Sequence, residues 1–460
     1  MLSKIIRFIS FALLFTPAIV NAQAGSPAEV VVTPYKTTML ANGKDLAKIK
    51  ITIIDKQGHT LTNADEHIVF TVTGNAKITS FGDKRNYYTA GKTTEGHLVN
   101  GVLWANLLAG NKTGKVKFEA KSGSLWPGST QIQLVHTGKP HVVTNAKYTP
   151  QHVAGKILGA DISFLPELEA KGFKFSDKGK QKDAIEILKD HGFNYIRLRI
   201  FNNPARDSGY SPGKGFCDLE HTKQMAKRAK AAGFKLLLDF HYSDYWADPQ
   251  QQYKPLAWRK ASFSALKDSV YTYTVMVLSQ LKAQGTLPDM VQVGNEINHG
   301  MIWPDGRINH LNSLAQLIYA GVRGVKAVNS KTPVMLHVAL GGQNAESRFF
   351  MDNMLKRNVP FDVIGLSYYP KWHGTLTDLK NNMGDLALRY KRQVMVAEYT
   401  QLKTEVNDIA FNVPNNQWLG TFIWEPLFTW EKIFDDDGKS NQLIDLYDQI
   451  VKKYHIPPAK

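Results

Sequence analysis

Two apolar runs of this chain end on a glutamate: "MVQVGNE" (290–296) and "QVMVAEYT" (393–400). Valine and methionine at such density are what a strand buried on both faces carries. A carboxylate at the end of one costs free energy unless it is paired or hydrated, so Glu296 and Glu398 need a reason to be there. Hydrolysis of a glycosidic bond supplies one. It takes two carboxyl groups flanking a sugar: one holds a proton for the leaving oxygen, the other attacks the anomeric carbon or directs water to it. Mutual repulsion helps, because one ionised carboxylate raises the pKa of its neighbour and keeps that neighbour protonated near neutrality. A lone strand-end glutamate is more often a rim residue or the partner of an arginine. A pair favours catalysis.

The other apolar runs of the C-terminal region end in polar residues as well. "KILGADIS" (156–163) carries Asp161, "FNYIRLRIF" (193–201) Arg197 and Arg199, and "FKLLLDFHYS" (234–243) Asp239 and His241. "PVMLHVAL" (333–340) carries His337, "FDVIGLSYYP" (361–370) Ser367, Tyr368 and Tyr369, and "LGTFIWEP" (419–426) Trp424 and Glu425. Between the runs lie amphipathic stretches such as "KQKDAIEILKDHG" (180–192) and "LEHTKQMAKRAKAAG" (219–233), each closing on glycine as helix C-termini commonly do. Strand and helix alternating eight times predict an α/β fold, the (β/α)8 TIM barrel. A doubly wound sheet also alternates, but no glycine-rich phosphate loop follows the first run. In a barrel the polar strand ends gather at one mouth, and strands four and seven stand three steps apart around the ring. Glu296 and Glu398 are therefore expected to face each other across it. No HExxH pattern offers a competing chemistry.

Residues 26–138 follow a different grammar. Short β-branched runs, among them "AEVVVTP" (28–34), "LAKIKITIID" (46–55), "HIVFTVTG" (67–74) and "GKVKFEAKSG" (114–123), alternate with turn signals. About seven strands in such a length predict a β-sandwich. The expected organisation is a signal peptide over 1–24, a smaller all-β sandwich over 25–138, a linker over 139–154 and the barrel over 155–460. "MLSKIIRFISFALLFTPAIVNA" (1–22) has two cations, an apolar run and a small-residue exit, which predicts export with cleavage after Ala22 or Ala24. The protein is then periplasmic or extracellular, and with no further run long enough to span a bilayer, no membrane association is expected after that removal. The single cysteine, Cys217, allows no disulfide framework and reads as an inert small hydrophobe. The net charge of +16 is scattered without an aromatic-interleaved stripe, so nucleic acid is not an expected partner. The cations are either a solvated surface or an attraction to acidic polysaccharide.

These motifs resemble two families. "ANGKDLAKIKITIIDKQGHTLTNADEHIVFTVTGNAKI" (41–78) resembles bacterial immunoglobulin-like domains, notably those appended to secreted glycoside hydrolases, which implies a spacer or docking module. The barrel resembles glycoside hydrolase family 53, the endo-β-1,4-galactanases, within the clan of retaining barrels with catalytic glutamates on strands four and seven. "GFNYIRLRIFNNP" (192–204), "DFHYSDYWADP" (239–249), "VQVGNEINHGMIWPDG" (291–306), "IGLSYYPKW" (364–372) and "FIWEP" (422–426) carry the likeness.

The resemblance implies Glu296 as acid/base, Glu398 as nucleophile and Asn295 as the group holding the sugar 2-hydroxyl. It implies that Arg199 bonds Glu398 and depresses its pKa. His241 and Tyr368 would be neighbours of the site or sugar-binding groups, and Trp424 would offer its face to a galactose ring. Trp246, Trp303 and Trp372 would line the cleft from loops. The substrate implied is β-1,4-galactan of pectic side chains, cut by a monomer needing no metal or organic cofactor. Two alternatives stay open: another β-glycanase of the same clan cutting mannan or glucan, and a non-catalytic carbohydrate-binding or adhesive protein. The sequence departs from the family at "VAEYTQLK" (396–403), followed by a short connection (401–418) to strand eight. Calcium sites of some bacterial members belong to that region. None is expected here, and "DDDG" (435–438) reads as a solvated turn.

Overall fold

The computed structural model describes residues 25–55, 60–82, 87–89, 91–136, 143 and 148–460. The expected signal peptide and half of the expected linker (139–142 and 144–147) lie outside the described residues.

Among the described residues, ten strands build the N-terminal part: β1 (Pro27–Pro34), β2 (Thr38–Leu40), β3 (Leu46–Asp55), β4 (His67–Thr73), β5 (Ala76–Gly82), β6 (Tyr87–Thr89), β7 (Thr93–His97), β8 (Val102–Ala109), β9 (Gly114–Lys121) and β10 (Gly128–Val135). They form two five-stranded sheets, ordered β1-β3-β8-β5-β6 and β2-β10-β9-β4-β7, antiparallel except where β2 joins β10. Alternation decides the faces: along β4 the buried residues are Ile68, Phe70 and Val72, along β9 Val116, Phe118 and Ala120. Residues of both sheets share one core, with Phe70 against Phe81 of the opposite sheet at 5.4 Å between ring centroids.

The barrel is closed by eight parallel strands in sequence order. They are β11 (Ile157–Asp161), β12 (Tyr195–Ile200), β13 (Lys235–Phe240), β14 (Met290–Val293), β15 (Val334–Val338), β16 (Val363–Tyr368), β17 (Gln393–Tyr399) and β18 (Trp418–Trp424), with β18 pairing back onto β11. Helices separate them as the patterns predict. The helix Leu219–Ala231 is capped by Asp218, which accepts from His221 N at 2.8 Å, and Gly233 follows its end at φ +89°. Outward-facing strand residues pack on the helices in one large core, while Ile157, Tyr195, Leu237, Met290, Met335, Val363, Met395 and Phe422 plug the barrel's interior. The polar strand ends stand above that plug.

A buried carboxylate ties the two parts together. Glu346, in the helix Asn344–Lys356 that follows β15, accepts from Thr37 N (3.1 Å), Thr37 Oγ1 (2.8 Å) and Thr38 N (2.7 Å) of the sandwich. It also meets Asn298 Nδ2 at 3.3 Å and His299 Nε2 at 3.0 Å, both in the loop that follows Glu296. The sandwich is thereby fixed against the end of the barrel where the polar strand ends gather, which a mere spacer would not require.

Candidate active site

Local backbone geometry delivers both glutamates to the mouth. After Val293 the chain turns sharply: Gly294 takes φ +83°, where a side chain would meet Ile297 Cγ2 at 2.5 Å, and Glu296 itself sits in the left-handed region at φ +49°. For a residue with a side chain that conformation costs about 1–3 kcal/mol, a strain characteristic of functional turns. On β17 a bulge does the work. Met395 and Ala397 face the barrel interior, and strict alternation would send Glu398 outward to the helices. The register shift between Val396 and Tyr399 against β18 turns Glu398 inward as well.

Arg197 forms the floor of the site. Its guanidinium, 1% exposed, reaches Asp161 Oδ2 at 2.8 Å, Asp239 Oδ2 at 2.9 Å and Glu398 Oε2 at 3.2 Å. It also donates to Asn295 Oδ1 at 2.9 Å and Gln292 Oε1 at 3.2 Å. The expected bond from Arg199 to Glu398 is therefore corrected. Arg199 sits two residues further along β12, stacks between Phe164 and Trp246, and pairs with Glu425, with Asp161 Oδ1 at 3.6 Å. Both arginines lie on the same strand face, and spacing does not tell which of two residues separated by one period meets a given partner.

The expectation for Tyr368 is corrected in the same way. It is buried among core residues between barrel and helices and donates to Gly374 O at 3.1 Å. Its neighbour Tyr369 donates to Glu398 Oε1 at 2.7 Å. Ser367 and Tyr369 share the inward face, a parity legible from "GLSYY" once Gly365 is placed inside.

Both glutamates line a cleft of about 520 Å³ together with Asn295, Arg199, His241 and four tryptophans: Trp246, Trp372, Trp424 and Trp430. Trp424 stands 5.8 Å from Trp430 and 6.2 Å from Trp246 between ring centroids, an aromatic wall on the β18 side. Trp303 does not reach the cleft; it donates to His299 O at 3.2 Å and packs under Arg307. His241 has both ring nitrogens engaged, accepting from Ala247 N at 3.1 Å and meeting Asp239 Oδ2 at 3.1 Å, which fixes the tautomer with its proton on Nε2. Asn295 Oδ1 accepts from Arg197, and Nδ2 gives one proton to Ala247 O at 2.9 Å.

The electrostatics of the two carboxyls differ. Burial pushes Glu296 well above the usual carboxylate range, and the charge of Glu398 pushes it further. Burial also raises Glu398, but Arg197 and the Tyr369 hydroxyl oppose it. Both carboxyls are thus raised, but a cation and a hydroxyl donor oppose the rise at Glu398, while a neighbouring like charge adds to it at Glu296.

The sequence model of glycosyl hydrolase family 53 matches residues 157–410. The chain belongs to that family. A second match, to the glycoside hydrolase family 2 C-terminal domain 5, covers residues 30–131. Over 251 residues the chain is 47% identical to a protein of Niallia circulans, spanning 53% of this chain and 66% of that one, just under two thirds of its length. It is 40% identical over 302 residues to the endo-beta-1,4-galactanase of Bacillus subtilis (strain 168), covering 59% of this chain and 70% of the relative. The structure of the Ignisphaera aggregans GH53 catalytic domain superposes with a TM-score of 0.61 at 32% identity, covering 67% of this chain and 99% of that one.

In this family 53 glycoside hydrolase, Tyr369 and Trp430 are among the cleft residues to which the sequence assigned no role. Tyr369 was within reach through strand parity. Trp430 lies beyond β18 in a stretch without strand or helix pattern, and only the folded chain brings it to within 5.9 Å of Tyr369. Cys217 is buried, with its thiol pushed up to about 12 by desolvation, which suits an inert packing role. In "DDDG", Asp436 and Asp437 pair with Lys432 and Lys439.

Proposed function

We propose that this chain is an exported, retaining endo-β-1,4-galactanase that cleaves galactan by double displacement. The observation that carries the reading is the unequal pair of buried glutamates in one cleft. Glu398, held anionic by Arg197 and Tyr369, attacks the anomeric carbon while Glu296, kept protonated, gives its proton to the leaving oxygen. As the ester bond forms and the glycosidic bond breaks, the negative charge of Glu398 passes to the departing oxygen and, with the proton transferred, rests on Glu296. In the second half Glu296, now a carboxylate, takes a proton from water, whose oxygen displaces Glu398. Asn295, with one amide N–H still uncommitted among the described residues, is placed to hold the 2-hydroxyl. Trp424 and Trp430 offer faces on which sugar C–H groups pack.

Galactan as substrate is supported by the galactanases among the relatives, and the pectic source and export follow from the same reading with the leader at residues 1–24. Digestion of β-1,4-galactan, mannan and cellulose derivatives, with products sized and their anomeric configuration followed by NMR, tests it. Galacto-oligosaccharides released first as the β-anomer are expected from galactan alone. Cleavage confined to mannan or glucan, or initial release of the α-anomer, would overturn it.

A further inference from the structure

The sandwich reaches the cleft that holds the two glutamates. Tyr35, in the bend between β1 and β2, and Lys50 of β3 line the same cleft as Glu296 and Glu398. A second groove of about 350 Å³ continues from it along the seam between sandwich and barrel, sharing Tyr35, Leu340 and Trp372 with the catalytic cleft. Lys36, Lys48 and Lys371 line this groove, and no carboxylate does among the described residues. Lys36 is neutralised by Asp45. Lys48 and Lys371 have no carboxylate partner among the described residues; each lies over an indole, 4.6 Å from the Trp104 centroid and 5.0 Å from that of Trp372.

The chemistry of these walls is specific. Tyr35, 5.5 Å from Trp104, and the 40% exposed Trp372 present aromatic surface of the kind on which a pyranose packs. Two ammonium groups without counter-charges stand beside it, and a compact ammonium favours an anionic oxygen. The Glu346 clamp on Thr37 and Thr38 fixes Tyr35, two residues upstream, so the groove is built rather than incidental. We propose that the seam groove is a distal subsite for a uronic acid unit of the glycan chain, with Lys48 and Lys371 binding its carboxylate. The proposal rests on the galactanase reading for the chain that leads into the groove.

The test compares β-1,4-galactan with the same galactan oxidised at part of its C6 hydroxyls to the uronic acid, using the full-length protein and the Lys48→Ala/Lys371→Ala variant. For the oxidised galactan the variant's KM is expected to rise about three- to tenfold at low salt, the span for two partly exposed charge contacts, with kcat unchanged. KM for neutral galactan should stay within about twofold, and 0.5 M salt should erase the difference on the oxidised polymer. An equal KM change on both polymers, or none on either, overturns the proposal. A second arm is independent of which glycan is cut. Calorimetric titration of trigalacturonic acid into Glu296→Gln protein should show salt-sensitive binding that the added lysine substitutions abolish. Binding that survives those substitutions, or no binding at all, overturns the subsite. Failure of the wild type to cut neutral galactan overturns the galactanase reading instead.

Discussion

The hydroxyl of Tyr369 donates a 2.7 Å hydrogen bond to Oε1 of Glu398, on the opposite carboxylate oxygen from the one Arg197 holds at 3.2 Å. Each oxygen of the proposed nucleophile thus has its own donor. Both donors oppose the desolvation that raises the pKa of this buried carboxyl.

Removing the phenol separates that effect from packing. In Tyr369→Phe the ring remains and the bond is lost, so the pKa of Glu398 rises. Activity requires Glu398 ionised, and the acidic limb of the kcat/KM profile should therefore move to higher pH, by about one unit for a hydrogen bond to a charged group worth about 1.5 kcal/mol. A pH–rate profile with an unmoved acidic limb would contradict this role.

Arg197 and Arg199 are predicted to behave differently. Arg197→Lys keeps a charge but loses the fork that spans Asp161, Asp239 and Glu398, so the acidic limb should shift upward and the melting temperature should fall. Arg197→Met leaves buried carboxylates without a counter-charge and should cost about 3–5 kcal/mol in urea unfolding. Arg199→Lys weakens the pair with Glu425 and should lower stability without moving the acidic limb. Equal shifts of that limb in both lysine variants would return Arg199 to the role first expected of it.

The Glu346 clamp makes the sandwich sensitive to acid. Burial pushes Glu346 up, yet His299, Thr37 and Asn298 together hold it below its ordinary value of 4.5. A carboxyl whose pKa is lowered on folding contributes stability above its unfolded value, and that contribution is lost as pH falls through the lowered one. Differential scanning calorimetry should therefore show the native transition weakening below about pH 4.5. In Glu346→Ala, weakening should already be present at pH 7. A Glu346→Ala variant as stable as the wild type at pH 7 would show that the clamp contributes nothing.

Much of the fold was legible in the sequence because its signals are periodic. Eight apolar runs with polar ends correspond to the eight barrel strands, and alternation in "HIVFTVTG" and "KVKFEA" marks the sandwich faces. The glutamates stood out because a carboxylate at the end of a buried strand is costly. What was not legible depends on parity and on long-range packing. The bulge that turns Glu398 inward has no local signature, and Arg197 and Arg199 share one strand face. Tyr368 and Tyr369 were distinguishable by counting from Gly365. The docking of Thr37 and Thr38 on Glu346 joins residues more than 300 positions apart, and no pattern in either segment announces it.

The division of labour between the two glutamates is tested most directly by azide rescue. With an aryl β-galactobioside whose leaving group needs no protonation, Glu398→Ala should be inactive until azide is added, and should then yield the α-glycosyl azide. Glu296→Ala should still form the glycosyl-enzyme, and azide should release the β-glycosyl azide from it. The same anomer from both variants, or full turnover by either without azide, would contradict the account.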